Sequence, residues 1–492
     1  MARLHIIASL NALLILPYTL SLGLPFAAEI QTVLRNSLSR LGAIEQGEIH
    51  YSEAPKTERP INLEQYSEDI VVRIWLQNAQ LTNKILKKEL GDIKYSKWGK
   101  SNVDESIDIQ LRAEDLINLK RNVPEIRYEV IISDLAQKVW ETYPKEIYAE
   151  SVRGSLDYRY RITEEVVEET KLNPLSELFF KDYRPLETIN AWMDIIKQSY
   201  PSLLTIEEIG RTQENRPYNI IHLSAPNDDT DHSDRKTVVL TGGVHAREWI
   251  SVSSVLYAVY KLILYYENNP SQHGILSKLD FIFIPVSNPD GYEYTWTNDR
   301  LWRKNRQETS VAGCYGIDID HSFDFHWTKS TDWACGEEYS GEFPLEATEA
   351  KLWTDYLNKT NNDHKIFGFI DLHSYAQEVL YPYAYSCNQQ PRDEENLIEL
   401  AFGIAKAIRL QSGKTYGVLP ACIDKDSDLL PDLASGSALD FMYHEKAFWA
   451  YQLKLRDSGN HGFLLPSKYI EPVGEETVAA LQYFCSFILS ND

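Results

Sequence analysis

The sequence predicts an α/β protein built on a mixed, mostly buried sheet flanked by helices, with a smaller α+β unit in front of it. Three observations carry this expectation. At 492 residues the chain is too long for one ordinary domain, and two are the natural division. From Pro185 onward helical and strand patterns alternate, as they do where helices pack on a sheet. Between Asp69 and Tyr143 short apolar alternations and helical periods follow one another closely and belong to a unit of their own.

Taken in order, residues 1–28 read as a secretory signal. Arg3 supplies the positive start, LHIIASLNALLILPYTLSLGL the apolar stretch, and Ala27 and Ala28 the small residues before acidic sequence. Asn11, Pro17 and the lack of a charged stop-transfer flank argue against a membrane anchor, and no later segment is expected to span a membrane. Residues 29–68 show no strong periodicity and form a lead-in. In 69–145, Ile70–Leu76, Ser106–Leu111 and Arg127–Ile132 read as strands, and Leu81–Leu90 and Ala113–Leu119 as helices, the second ended before Pro124. Strand, helix, two strands, helix, strand is a ferredoxin-like order. Residues 146–180 form a linker in which Arg153, Arg159 and Arg161 are candidate protease sites.

The last domain, 181–492, begins with Leu186, Ile189, Trp192, Met193 and Ile196 at helical spacing. Strands are expected at Asn219–Leu223, Thr237–Leu240 and Leu279–Val286, around a long helix at Trp249–Tyr266. Helix Leu345–Leu357, strand Ile366–Asp371, helix Glu394–Arg409, strand Phe448–Leu455 and helix Glu475–Ile488 complete the pattern.

Composition narrows the function. A net charge of −23 excludes nucleic acid and anionic membrane surfaces as partners, and 43% apolar residues are ample for packed cores. Secretion permits disulfides, and five cysteines leave at least one unpaired. Cys485 lies in the apolar helical pattern TVAALQYFCSFIL and reads as a buried free thiol. Asn358, in Asn-Lys-Thr, is the one acceptable glycosylation sequon.

The stretch TGGVHAREWISVS (Thr241–Ser253) has the layout of a strand end turning into a helix. It sets His245 and Glu248 three residues apart, so that an imidazole nitrogen and a carboxylate oxygen can face one point, a donor pair that suits zinc. His373, at the end of the apolar run Ile366–Leu372, is the candidate third ligand, leaving a fourth position to water. All three fall at strand ends, where sites in such folds lie. The pair His245–Glu248 alone is equally compatible with a surface turn.

HAREWI, NPDG (Asn288–Gly291), RLWRK (Arg300–Lys304), HSYAQEVLYPYAY (His373–Tyr385) and LRDSG-x-x-GFLLP (Leu455–Pro466) occur in this order. Together they resemble the zinc metallocarboxypeptidases of the carboxypeptidase A/B type, from about Leu175 to the C-terminus. The resemblance implies one zinc per chain on His245, Glu248 and His373, and a hydrogen bond from the first histidine to Asp318, which fixes its tautomer. It implies a disulfide Cys314–Cys335, with Cys387 and Cys422 as a second pair near the active site. It places Arg303 at the oxyanion-stabilising arginine, Arg247, Ser374 and Tyr375 in the substrate cleft, and Leu439 where side-chain preference is set, suiting apolar residues. Residues 69–145 take the place of an activation pro-domain.

The sequence departs from that family in one pocket. The family's Glu-Leu-Arg-Asp reads Lys454-Leu455-Arg456-Asp457, so a lysine stands at the general base. An ammonium has no lone pair with which to take a proton from water. The Asn-Arg pair that anchors a substrate carboxylate reads Asp320-His321, and the mobile tyrosine aligns with Asp432. A missing base removes about 10²–10⁴ in rate, and loss of a charge-assisted clamp adds roughly 1.5–3 kcal/mol. The combination resembles the fungal metallocarboxypeptidase-like proteins described as inactive and linked to cell-wall organisation. That resemblance implies a secreted or vacuolar pseudoenzyme whose partners are peptide or protein C-termini or cell-wall components. The competing expectation is a working zinc exopeptidase with altered C-terminal specificity that uses Asp320 or Asp432 as its base.

Overall fold

The computed structural model describes residues 61–75, 88–91, 93–101, 106–144, 178–226, 235–268, 274–360, 365–424 and 435–490. The signal, most of the lead-in, most of the expected helix Leu81–Leu90, the linker up to residue 177 and Asp432 lie outside the described residues.

Strands β1 (Asp69–Trp75), β2 (Tyr95–Ser101), β3 (Ser106–Arg112) and β4 (Arg127–Ile132) form an antiparallel sheet in the order β2-β3-β1-β4. Helix α1 (Ala113–Asn122) follows β3, and α2 (Leu135–Thr142) follows β4. The strand period of two divides the residues between two cores. Ile70, Val72 and Ile74 of β1 and Ile107, Ile109 and Leu111 of β3 bury against Leu116 and Leu119 of α1. The opposite face joins a much larger core through Val71, Trp98 and Ile132, together with Leu135 and Val139 of α2. Tyr143, just after α2, sits edge-on to Trp249 and Trp296, with centroids 5.2 and 5.6 Å away, and gives its hydroxyl proton to the Thr295 carbonyl.

That larger core surrounds an eight-stranded mixed sheet. Its strands are β5 (Leu204–Arg211), β6 (Pro217–Leu223), β7 (Lys236–Gly242), β8 (Leu279–Ile284), β9 (Lys365–Ser374), β10 (Glu378–Tyr381), β11 (Gly417–Pro420) and β12 (Trp449–Leu455). Their order is β11-β10-β12-β9-β7-β8-β6-β5. The parallel centre of β12, β9, β7 and β8 reads as continuous apolar runs because helices cover both faces. The covering helices include α3 (Leu186–Ser199), α4 (Trp249–Asn268), α5 (Pro289–Thr297), α6 (Thr348–Lys359), α7 (Glu394–Ser412), α8 (Ala438–Glu445) and α9 (Ile470–Ser490). Edge strand β5 carries Glu207, Glu208 and Arg211, charges that blunt an exposed edge.

One expectation needs correcting. Helix α4 has the length and apolarity of a membrane span, although no segment after the signal was expected to. It is a core helix: 78% of its apolar window is buried inside the protein, because it carries apolar residues on nearly every face toward the sheet and α9. Helix α9 also starts a turn earlier than its periodicity suggests, at Ile470, with Pro472 in the first turn, where a missing N–H costs nothing.

Candidate functional site

The site forms where the parallel strands end. After β7 the chain turns at Gly243, whose φ of +69° favours glycine, and a Cβ there would lie 2.6 Å from Val252. Ser251 of α4 clamps the turn, accepting from the Gly243 amide at 2.9 Å and donating to the Glu248 carbonyl at 2.8 Å. His245 and Glu248 are thereby buried side by side, with His245 Nδ1 2.9 Å from Glu248 Oε1. His373 arrives from β9, its Nδ1 3.3 Å from Glu248 Oε2. One atom from each of the three lies within 4.8 Å of the others.

The outer ring nitrogens are held from behind. His245 Nε2 lies 3.2 Å from Asp318 Oδ1, as the resemblance implies. His373 Nε2 lies 3.0 Å from Asp371 Oδ2, and Thr241 donates to the other oxygen of Asp371 at 2.6 Å. Asp371 was missed in the sequence, yet a signal existed: two residues before His373 on a strand, it shares that histidine's face. With both Nε2 atoms turned to carboxylates, both Nδ1 atoms face Glu248. Burial alone would raise the Glu248 carboxyl, but the His245 and His373 charges hold it well below the usual carboxylate range. Burial opposes a charged His373, but Asp371 and Glu248 push it well up. Two imidazole nitrogens and a carboxylate, each backed by a hydrogen-bonded partner, are a donor set that fits zinc. A second cluster of Asp320, Asp371 and His373 uses the ring nitrogen that already serves Asp371.

The other expected residues gather round the same cavity, of about 120 Å³. Arg303 gives Nε and Nη2 to Asp318 Oδ2 at 3.1 and 2.8 Å. Against the burial that would raise it, Arg303 and His245 hold Asp318 well below its ordinary value. Arg247 is buried over the Phe463 ring at 4.2 Å, and donates to the Leu301 carbonyl, to Glu337 and, at 3.2 Å, to the Lys97 carbonyl. Ser374 gives its amide to Glu248 Oε2 at 2.9 Å, while its buried hydroxyl has no hydrogen-bond partner. Asp320 Oδ1 accepts from the Ala438 amide at 3.1 Å, and His321 Nδ1 lies 3.3 Å from the Ser435 carbonyl. Leu439, in the first turn of α8, is buried and lines the cavity.

Lys454 occupies the cavity wall between two strands. In register on β9 stands His373, and in register on β10 stands Glu378. Side chains at matched register share a face, and Lys454 Nζ lies 3.7 Å from the buried Glu378 carboxylate. Glu378 was not singled out in the sequence, because the pairing exists only once the strands are in register.

The small sheet reaches into this cleft. Lys97, Trp98 and Gly99 of β2 line the cavity, with Trp98 against Phe463 at 5.3 Å. The Tyr375 hydroxyl donates to Asp108 Oδ2 at 2.8 Å, and burial and the Asp108 charge push this phenol well up. Asp108 in turn takes two hydrogen bonds from Arg73, at 2.8 and 2.9 Å, and Arg73 also reaches the Ser458 carbonyl. The disulfides Cys314–Cys335 and Cys387–Cys422 are both formed, and Cys485 is free and buried. Asn358 is exposed in the last turn of α6, its side-chain oxygen accepting from Lys446.

Comparison with known proteins agrees with this geometry. The sequence model of the zinc carboxypeptidase family matches residues 189–480. The inactive metallocarboxypeptidase ECM14 of Saccharomyces cerevisiae is 48% identical over 427 residues, covering 87% of this chain and 93% of that protein. The inactive metallocarboxypeptidase ecm14 of Sclerotinia sclerotiorum is 40% identical, over 78% of this chain and 67% of that protein. Among solved structures, thrombin activatable fibrinolysis inhibitor aligns with a TM-score of 0.70 at 25% identity, over 86% of this chain and 100% of that one. Carboxypeptidase A from Helicoverpa armigera shares the fold, with a TM-score of 0.69 at 21% identity over 87% of this chain and 99% of that one.

Proposed function

The chain belongs to the zinc carboxypeptidase family, and we propose that within it the protein is an inactive member, a zinc-holding binding protein. The observation that carries this reading is Lys454, a cation on the cavity wall where the family resemblance calls for a general base. Its ammonium faces the buried carboxylate of Glu378 at 3.7 Å, and an opposite charge at that range favours the protonated form. A protonated lysine cannot accept a proton from water.

His245, Glu248 and His373 would hold one zinc per chain, and Asp318 and Asp371 would keep both rings turned toward it. When bound, zinc would polarise a ligand oxygen and acidify coordinated water. Asp320, the alternative base, reaches toward the Nε2 side of His373, at 4.0 Å, away from the nitrogen that faces Glu248. That position does not favour proton transfer from the metal side.

We read residues 69–145 as the family's pro-domain, whose β2 lies against the substrate-cleft residues Arg247 and Tyr375, with 146–180 as its linker and 181–492 as the carboxypeptidase-like domain. Two disulfides support folding in an oxidising compartment, and with the signal-like residues 1–28 they support a secreted or vacuolar destination. The resemblance to inactive relatives supports a role in cell-wall organisation, and the exposure of Asn358 supports its glycosylation. The test is direct. Zinc-loaded protein, intact and after proteolytic removal of the N-terminal domain, is assayed on peptides with free and blocked C-termini. No hydrolysis above buffer is expected, and turnover of either set overturns the proposal.

A further inference from the structure

We infer that the cavity beside the zinc ligands accepts a terminal primary carboxamide on an apolar chain rather than a carboxylate. The inference deepens the proposed function, resting on the reading that this cavity binds without cleaving. Three of the cations around it already face an anion of their own, and Lys97 shares the wall with Glu337 and Glu338. Arg303 is bonded to Asp318, Arg247 to Glu337, and Lys454 faces Glu378. Of the carboxylates that line the wall, Asp320 takes an amide proton from Ala438 on one oxygen, and its other oxygen comes within 4.0 Å of His373 Nε2. A carboxylate head would meet a like charge there, and like charges across an interface suppress the wrong partner.

Asp320 instead asks for N–H donors, since an ionised carboxylate only accepts. Two neutral groups complete the match. Ser374, 6% exposed, lines this cavity, and its buried hydroxyl has no hydrogen-bond partner, a cost that a ligand pairing with it would remove. Gln452 lies two residues before Lys454 on β12, so it shares that face and also lines the cavity. A primary carboxamide brings two N–H donors for Asp320 and a carbonyl for the Ser374 hydroxyl or the Gln452 amide. Leu439, Ala384 and Ala421 give the apolar wall for the attached chain. An ammonium would satisfy Asp320 but would add a cation beside the metal and would leave the neutral groups without a carbonyl. The carboxamide can come from an amidated peptide C-terminus or from an asparagine or glutamine side chain.

The test uses full-length, zinc-loaded protein and three probes on one branched tail: 4-methylpentanamide, 4-methylpentanoate and 4-methylpentylamine. Ligand-observed NMR titrations give the three dissociation constants. The amide should bind about tenfold tighter than the acid, a difference of about 1.4 kcal/mol. Asp320→Asn, at matched zinc content, should shrink or reverse that preference. Ser374→Ala and Gln452→Leu should weaken the amide selectively, and they serve if Asp320→Asn misfolds. Acid binding as tightly as amide overturns the inference, as does amine binding tightest, absence of binding by all three, or an unchanged ratio across the variants. None of the probes carries a peptide bond. Hydrolysis of a reporter peptide in the same samples would therefore overturn the inactive reading separately from the ligand preference.

Discussion

Restoring the carboxylate at position 454 is the sharpest perturbation, and Lys454→Glu alone should not create a peptidase. One reason lies in the strand register and the other in the substrate anchor. Glu378 stands opposite position 454 on β10, buried, and 3.7 Å from the present ammonium. Reversing the charge leaves Glu378 without its counter-ion, a change that costs about 3–5 kcal/mol for a buried pair. It also sets two carboxylates roughly 4 Å apart. At an effective dielectric of about 20 their repulsion is ~4 kcal/mol, or about three pKa units. One of the two then keeps its proton at neutral pH. Position 454 is the more solvated of the pair, so the proton rests mainly on the buried Glu378, and what still prevents hydrolysis is the lost carboxylate anchor at Asp320 and His321. Lys454→Glu should therefore lower the thermal midpoint and leave peptide hydrolysis at background. Adding Glu378→Gln should recover most of the midpoint. Measurable cleavage of peptides with apolar C-terminal residues should require Asp320→Asn and His321→Arg as well, because misplacing the scissile carbonyl costs about 10²-fold. The assay is product release by mass spectrometry from zinc-matched variants. Robust cleavage by the single variant, with an unchanged midpoint, would refute both the charge-pair argument and the anchor argument.

Protein purified without chelators should carry one zinc per chain by metal analysis. His373→Ala should abolish it, and Asp371→Ala should weaken it by about 10–100-fold in chelator competition; undiminished zinc in His373→Ala would refute the ligand set. Non-reducing peptide mapping should recover Cys314–Cys335 and Cys387–Cys422 and a free Cys485, and Cys485 in any crosslink contradicts this. Burial pushes the Glu349 carboxyl from its ordinary 4.5 to about 7, the bond from Asn305 opposing. Between those values the folded state binds more protons than the unfolded one, so this group's contribution to stability falls as pH rises through that window. Glu349→Gln should raise the calorimetric midpoint at pH 8, by an amount worth about 3 kcal/mol, and change little near pH 4. A difference between variant and wild type that does not grow with pH would show that Glu349 is not buried as a neutral acid.

How much was legible follows from the range of the signals. The alternation of helix and strand, the long α4 and the buried apolar strands of the mixed sheet are local patterns, and such patterns survive in one dimension. Strands β2, β5, β10 and β11 and helices α2, α5 and α8 did not stand out. They are short or half-exposed, and their stability comes from what they pack against, as when Tyr143 after α2 sits edge-on to the stacked pair Trp249 and Trp296. The ligands His245, Glu248 and His373 could be read because ordered motifs carry them, and Asp371 could have been read from its spacing. The sequence alone determined the chemical identities: zinc donors kept, and a lysine and an aspartate where a base and an amide were expected. Only the tertiary structure decided what those groups face. Lys454 meets Glu378 through antiparallel register across β10 and β12, and Tyr375 meets Asp108 across 267 residues of chain. Such pairings depend on strand register and domain contact, which are set by burial summed over the whole core and leave no mark in the spacing of either residue.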